Sequence, residues 1–120
     1  MNKHLLLYII ILIIFQNCAN QTQPTGGPQD ETPPKLLYTY PESGSVNFTD
    51  REIRLMFDED LQVRNAKNQI LITPRTSVDY DIKVRREEVI MEFDSLLDPN
   101  TTYTINFRES VQDLTEGNPA

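Results

Sequence analysis

Alternation of polar and apolar residues is the feature that most limits what this chain can become. Asp79-Tyr80-Asp81-Ile82-Lys83-Val84-Arg85 alternates at every position, and Glu52 to Phe57 and Thr102 to Arg108 nearly do. Successive side chains of an extended backbone point to opposite faces, so a period of two means a strand with one wet face and one dry face; a helix would need a period of 3.6. Further strands are predicted at Lys35 to Tyr40, Val46 to Phe48, Gln69 to Thr73 and Glu88 to Phe93. Turn-forming residues separate them at Pro41 to Gly44, Arg64 to Asn68, Arg85 to Glu88 and Asp94 to Thr101. Short strands about ten residues apart predict an all-β antiparallel sandwich of about seven strands, with no helix longer than about one turn. The expected inward set includes Leu37, Val46, Phe48, Ile53, Leu55, Phe57, Leu61, Ile70, Ile72, Tyr80, Ile82, Val84, Val89, Met91, Phe93, Leu97, Tyr103, Ile105 and Phe107.

The N-terminus carries a different signal. Met1 to His4 is short and polar, and Leu5 to Phe15 is an unbroken run of eleven apolar residues. As a helix this run would rise roughly 16 Å, about half the ~30 Å hydrocarbon core, which is too short for a stable span and suits a signal-peptide core. Phe15-Gln16-Asn17-Cys18 follows and resembles a bacterial lipobox. That resemblance implies cleavage before Cys18 and acylation of its sulfur and new amino terminus, an effectively permanent bilayer anchor. Phe15 and Asn17 depart from the usual Leu and Gly or Ala, and an ordinary secretory signal with an incidental cysteine is the plainer alternative. Ala19, in place of an inner-membrane-retaining Asp, favours the outer membrane. On this reading residues 1–17 are a lipoprotein signal peptide, 18–34 a lipidated flexible tether rich in Pro, Gly, Gln and Thr, and 35–120 the folded domain. The tether would reach at most ~50 Å.

Composition excludes several chemistries. The chain has 18 Asp+Glu against 11 Lys+Arg, a formal net charge of -7, and removing the leader takes away Lys3 and the one histidine, His4. So acidic a chain argues against nucleic acid, whose affinity depends on clustered Lys and Arg. Without histidine and with one cysteine, a mature chain excludes Ser-His and Cys-His nucleophiles, His-ligated metals, zinc clusters and intrachain disulfides. Thr25-Gly26-Gly27-Pro28 lacks the preceding strand, following helix and lysine of a phosphate loop, and reads as linker.

Three stretches carry a family resemblance. Lys35 to Phe48 followed by Ile53-Arg54-Leu55-Met56-Phe57-Asp58-Glu59 resembles the opening of a bacterial Ig-like domain of the S-layer-protein type. Leu97-Asp98-Pro99-Asn100-Thr101-Thr102-Tyr103-Thr104-Ile105 is similar to a later turn and strand of that family, and Val111 to Pro119 to the loop before its last strand. With the Cys-Ala-Asn start and Thr-Gly-Gly-Pro linker, the chain resembles an Ig-like lipoprotein of Gram-negative bacteria. The resemblance implies an Ig-like sandwich from about Pro33 to Ala120. Tyr103 then sits where a tyrosine corner would, its ring in the core and its hydroxyl turned back to the Leu97 to Asn100 backbone, with a plain core tyrosine as the alternative. Resembling domains continue past the Gly-Asn-Pro turn into a closing strand. The expectation is therefore a C-terminally truncated sandwich, either a fragment with downstream domains in a longer chain or one completed by a partner strand.

The side chains left to carry chemistry are carboxylates. Asp58-Glu59-Asp60 just past a strand, joined by Asp113, is a candidate calcium loop, since hard cations take several oxygens, although the spacing matches no EF-hand. Asp79 and Asp81 share a strand face at a separation a glycosidase could use, but a solvated strand face shows the same pattern and offers no cleft. The expected function is that of a membrane-anchored envelope lipoprotein, not an enzyme, whose Ig-like domain is a structural, spacer or binding module for an envelope protein or glycan. A calcium-stabilised adhesion or glycan-binding module and a carboxylate-dependent glycosidase are the alternatives.

Overall fold

The computed structural model describes residues 2–5 and 26–120; most of the apolar run, Cys18 and the following residues to Thr25 lie outside the described residues. Among the described residues no helix is long and apolar enough to cross a membrane. The strands are β1 (Leu36–Tyr40), β2 (Glu52–Phe57), β3 (Leu61–Val63), β4 (Leu71–Thr73), β5 (Tyr80–Arg85), β6 (Glu88–Phe93), β7 (Thr104–Asn106) and β8 (Val111–Asp113), with a one-turn helix α1 (Ala66–Gln69) between β3 and β4.

β1, β2, β6 and β5 form an antiparallel sheet in that order. The opposite layer is a two-stranded ribbon in two stretches, β3 with β8 (Leu61 opposite Asp113, Val63 opposite Val111) and β4 with β7 (Leu71 opposite Asn106, Thr73 opposite Thr104). Between the stretches Arg64 to Ile70 faces the shorter Phe107 to Ser110, and α1 takes up the excess length. The predicted turn at Arg64 to Asn68 is thus in the right place and contains the single helical turn the sequence allows.

Two apolar clusters join the layers. Leu55, Phe57 and Val89 of the sheet pack with Leu61 and Val111 of the ribbon. Tyr80, Met91 and Phe93 pack with Ile70, flanked by half-buried Ile72 and Ile105. Tyr80 meets Phe93 edge-on, with centroids 6.1 Å apart at 67°, the geometry the ring quadrupoles favour. Ile90 points to the outer face of the sheet yet is only 3% exposed. Its register neighbours are Arg54 and Lys83, whose heads pair with Glu52, Glu88 and Glu92; long aliphatic stems of this kind can cover apolar surface, and Met56, Tyr38 and Tyr40 share the face by register.

Several expectations are corrected. Val46 to Phe48 forms no strand, because Gly44 and Asn47 take positive φ (83° and 59°) and break the extension, leaving Val46 82% exposed. The β1–β2 register slips between Leu36 and Tyr38, so Leu37 is the extra residue of a bulge and is exposed, with Leu36 taking the inward position opposite Phe57. Val84, on edge strand β5 beside the hairpin turn, is also exposed. Strands β3 and β8 and the core residues Ile90 and Val111 lay outside the sequence expectation. The folded unit begins before Lys35: Pro34 is buried, the Asn118 side chain donates to the Asp30 carbonyl at 2.8 Å, and the Lys35 N–H donates to Asp58 Oδ1 at 2.8 Å.

Phe93 is fully buried, so Phe93→Ala removes a ring from the centre of one cluster and is expected to lower stability by about 3–5 kcal/mol. Val46→Ala, despite truncating an apolar side chain, should change it by less than ~0.5 kcal/mol. Equilibrium urea unfolding of both variants checks the contrast.

Candidate functional site

The most organised polar group in the domain is Asp113, the last residue of β8. It is 1% exposed and lies opposite Leu61. Its Oδ1 accepts the N–H groups of Glu116 (2.6 Å) and Gly117 (2.8 Å), and its Oδ2 that of Asn118 (3.1 Å). Gly117 has φ +79°, a left-handed conformation that favours a residue without Cβ. The Gln62 side chain donates to the Asp113 carbonyl at 2.8 Å, closing the turn from the β3 side. Past the turn the chain returns along β8: Pro119 bridges Gln112, the Asp113 N–H donates to the Asn118 carbonyl at 3.0 Å, and the Ala120 N–H donates to the Val111 carbonyl at 2.9 Å. Ser110, completely buried, donates its hydroxyl to the Phe107 carbonyl at 2.6 Å.

The remaining acidic candidates surround this turn without forming a ligand shell. Asp58 is tied to Lys35 by backbone and side-chain hydrogen bonds, and Asp60 lies 3.5 Å from the Arg86 guanidinium while its carbonyl accepts the Leu114 N–H. Asp113 has its oxygens committed to backbone amides. Among the described residues no three His, Cys, Asp or Glu side chains are grouped so as to hold a metal ion, and the calcium expectation for Asp58, Glu59, Asp60 and Asp113 finds no ligand set. Glu59 is the carboxylate under stress: burial, then the charges of Asp113, Asp58, Asp30 and Glu116, push its carboxyl above the ordinary range. Asp113 moves the other way. Burial opposes its ionisation most strongly, but the N–H donors of Gly117, Glu116 and Asn118 together outweigh it and hold the carboxyl low.

Asp79 and Asp81 do not make an acid–base pair. Asp79, just before β5, accepts from Lys67 Nζ and from the Tyr80 N–H, and the Lys67 hydrogen bond holds its carboxyl low, the reverse of what a general acid requires. Lys67 also lies 4.0 Å from the centroid of the Tyr80 ring, so the group works as a clasp between α1 and β5. Asp81, within β5, sits opposite Glu92. Tyr103 is half-buried, and its hydroxyl turns back to Asp98, accepting the backbone N–H at 3.4 Å and donating to Oδ2 at 3.3 Å. Both bonds are long. Cys18, the lipidation candidate, lies outside the described residues. Ser110 went unread in the sequence, and so did the role of Asp113 as the acceptor that shapes the turn, since the sequence offered it as a calcium ligand in a loop; the signal that could have found that role is the apolar-polar-acid alternation Val111-Gln112-Asp113 ahead of a Gly-Asn-Pro turn.

The family model described as a bacterial Ig-like domain matches residues 30–120. Its first matched residue is Asp30, where the packing described above also begins. No curated protein and no solved structure matches the chain.

The two shifted carboxyls affect stability in opposite senses. Asp113 is held below its ordinary 3.8, so its ionisation stabilises the fold above about pH 4 and that contribution disappears as pH falls through the lower folded value. Glu59 is raised above 4.5, so the fold prefers it protonated and loses stability as pH rises through the raised value. Asp113→Asn is expected to lower the thermal midpoint at pH 7 by about 10 °C and to flatten the acid limb below pH 4. Glu59→Gln should hold or slightly raise the midpoint at pH 7. Circular dichroism melts from pH 2 to 7 check both.

Proposed function

Because this chain belongs to the bacterial Ig-like domain family, we propose that it is a lipid-anchored protein of the bacterial cell envelope, held at the outer membrane through acylated Cys18. Domains of this kind are typically structural modules of the cell surface and usually non-catalytic. The observation that carries the finer reading is the eleven-residue apolar run ending at Phe15, three residues before the chain's lone cysteine. A run too short to span, followed at once by that thiol, suits cleavage and acylation better than retention as a helix.

The domain then acts as a spacer or binding module at a set distance from the bilayer. Packing among the described residues begins at Asp30, so a tether from Cys18 would comprise residues 19–29, whose extended length is at most ~36 Å. Asp79, one of the two carboxylates a glycosidase would use, is ion-paired with Lys67, which holds its carboxyl low, and no reaction is assigned to the chain.

Expression of the full chain in a Gram-negative host, with fractionation and intact-mass analysis, tests the anchor. The wild type is expected in the detergent-extracted membrane fraction, with a mass equal to the chain from Cys18 plus its acyl groups. Cys18→Ser should lose the acyl mass and leave that fraction; a variant that stays acylated at the wild-type level would overturn the proposal.

A further inference from the structure

Strand β1 presents two tyrosines to solvent. Register with β2 puts Tyr38 opposite Met56 and Tyr40 opposite Arg54, on the sheet face turned away from the apolar cluster that holds Leu55 and Phe57. Tyr38 is 54% and Tyr40 49% exposed, whereas the other aromatic residues of the folded unit, Phe48, Phe57, Tyr80, Phe93, Tyr103 and Phe107, are buried or half-buried. The bulge at Leu37 is what aims both rings outward. Without the extra residue, Tyr38 would fall opposite Leu55 and Tyr40 opposite Ile53, both on the inner face. Two residues apart on one strand, the tyrosines stand about 7 Å from each other.

The charges beside the rings are balanced within the face. Arg54, the cation in register with Tyr40, pairs with Glu52 and Glu88, and Lys83 pairs with Glu92. A chain of formal net charge -7 also repels a polyanion. The apolar area is small: Ile90 is 3% exposed, and each half-exposed ring offers roughly 100 Å². A stable protein interface buries about 800 Å² on each side around an apolar core, so a protein partner, a second copy included, would have to bury the ion pairs too. A neutral sugar polymer would not. Its C–H faces stack on aromatic rings, its hydroxyls bond to paired carboxylates and guanidinium groups at the rim, and its extended shape suits a row of rings better than a pocket. Equatorial linkages leave both faces of each sugar as flat C–H surfaces.

We propose that the outward face of β1 and β2 binds a neutral, equatorially linked glycan, whose sugar units stack on Tyr38 and Tyr40 while their hydroxyls bond to Glu52 and Arg54. This names a ligand for the binding-module reading above and rests on that reading, but not on the lipid anchor.

An NMR titration of the full chain, in a detergent without a sugar headgroup, tests it. The probes are β-1,4-linked glucohexaose and the hexaglucuronate of the same linkage, in which each hydroxymethyl group is a carboxylate. The neutral hexaose is expected to shift the ring resonances of Tyr38 and Tyr40, to leave those of Tyr103 in place, and to bind at least about fivefold tighter than the hexaglucuronate. Tyr38→Ala and Tyr40→Ala should each weaken it about fivefold or more, and Tyr38→Phe, which keeps the ring, by less than about twofold. No binding of the hexaose at millimolar concentration, binding that leaves both rings unshifted, or tighter binding of the hexaglucuronate would overturn the glycan face. A dimer of the unliganded chain that Tyr38→Ala abolishes would give the face to a second copy and overturn it as well. Cys18→Ser should bind the hexaose as the wild type does, so the anchor and the glycan face fail separately.

Discussion

Burial of strand β6 on both faces is the constraint on which the other elements depend. Val89, Met91 and Phe93 are fully buried on the inner side and Ile90 nearly so on the outer. The inner residues require a second layer, and the ribbon supplies it through Leu61 and Val111 at one end and Ile70 at the other. The outer residue requires flanking strands on both sides to shield it. β2 and β5 meet that need because Arg54 and Lys83 fall in register with Ile90. A one-residue slip of either strand would place a different residue beside Ile90 and turn its inner side chains outward.

Asp113 inverts the usual relation between charge and position. A carboxylate at an inward strand position is unfavourable unless its oxygens are satisfied, and here three backbone donors of a single turn satisfy them. The same contact gives the turn its shape, so interior polarity and loop geometry have one cause. The acidity of the surrounding surface works against it: Glu59 shares that end of the domain and keeps its proton more readily than a free glutamate. The local charge is therefore tolerated because one carboxylate is strongly bound by the backbone.

Legibility in the sequence followed the chemistry of each segment. Alternation revealed β2, β5 and β6 because their inward residues are uniformly apolar and their outward ones mostly charged. It failed for β8, where the inward positions are Val111 and Asp113 and a buried acid reads as a loop residue. It misplaced Val46 because hydrophobicity there competes with the left-handed Gly44 and Asn47, and it chose Leu37 over Leu36 because a bulge leaves no mark in composition. Pro, Gly and Thr before Lys35 read as free tether, yet Pro34 is buried and the Asp30 carbonyl holds Asn118. Among the carboxylate candidates, the residues were visible but their duties were not, since each partner, from the Gly117 amide to the Lys67 ammonium, is brought in by the fold from elsewhere along the chain.

The hydrogen bond from Asn118 to the Asp30 carbonyl ties the beginning of the packed chain to the turn that follows β8. A pull on the chain ahead of Asp30 would therefore arrive first at this surface contact and at the Lys35–Asp58 pair behind it. Contacts of that kind open one after another under small forces, whereas the ladders of β2 with β6 resist as a set. On that ordering of contacts, a pull on the N-terminal arm would release the Asn118–Asp30 bond before it strained either apolar cluster.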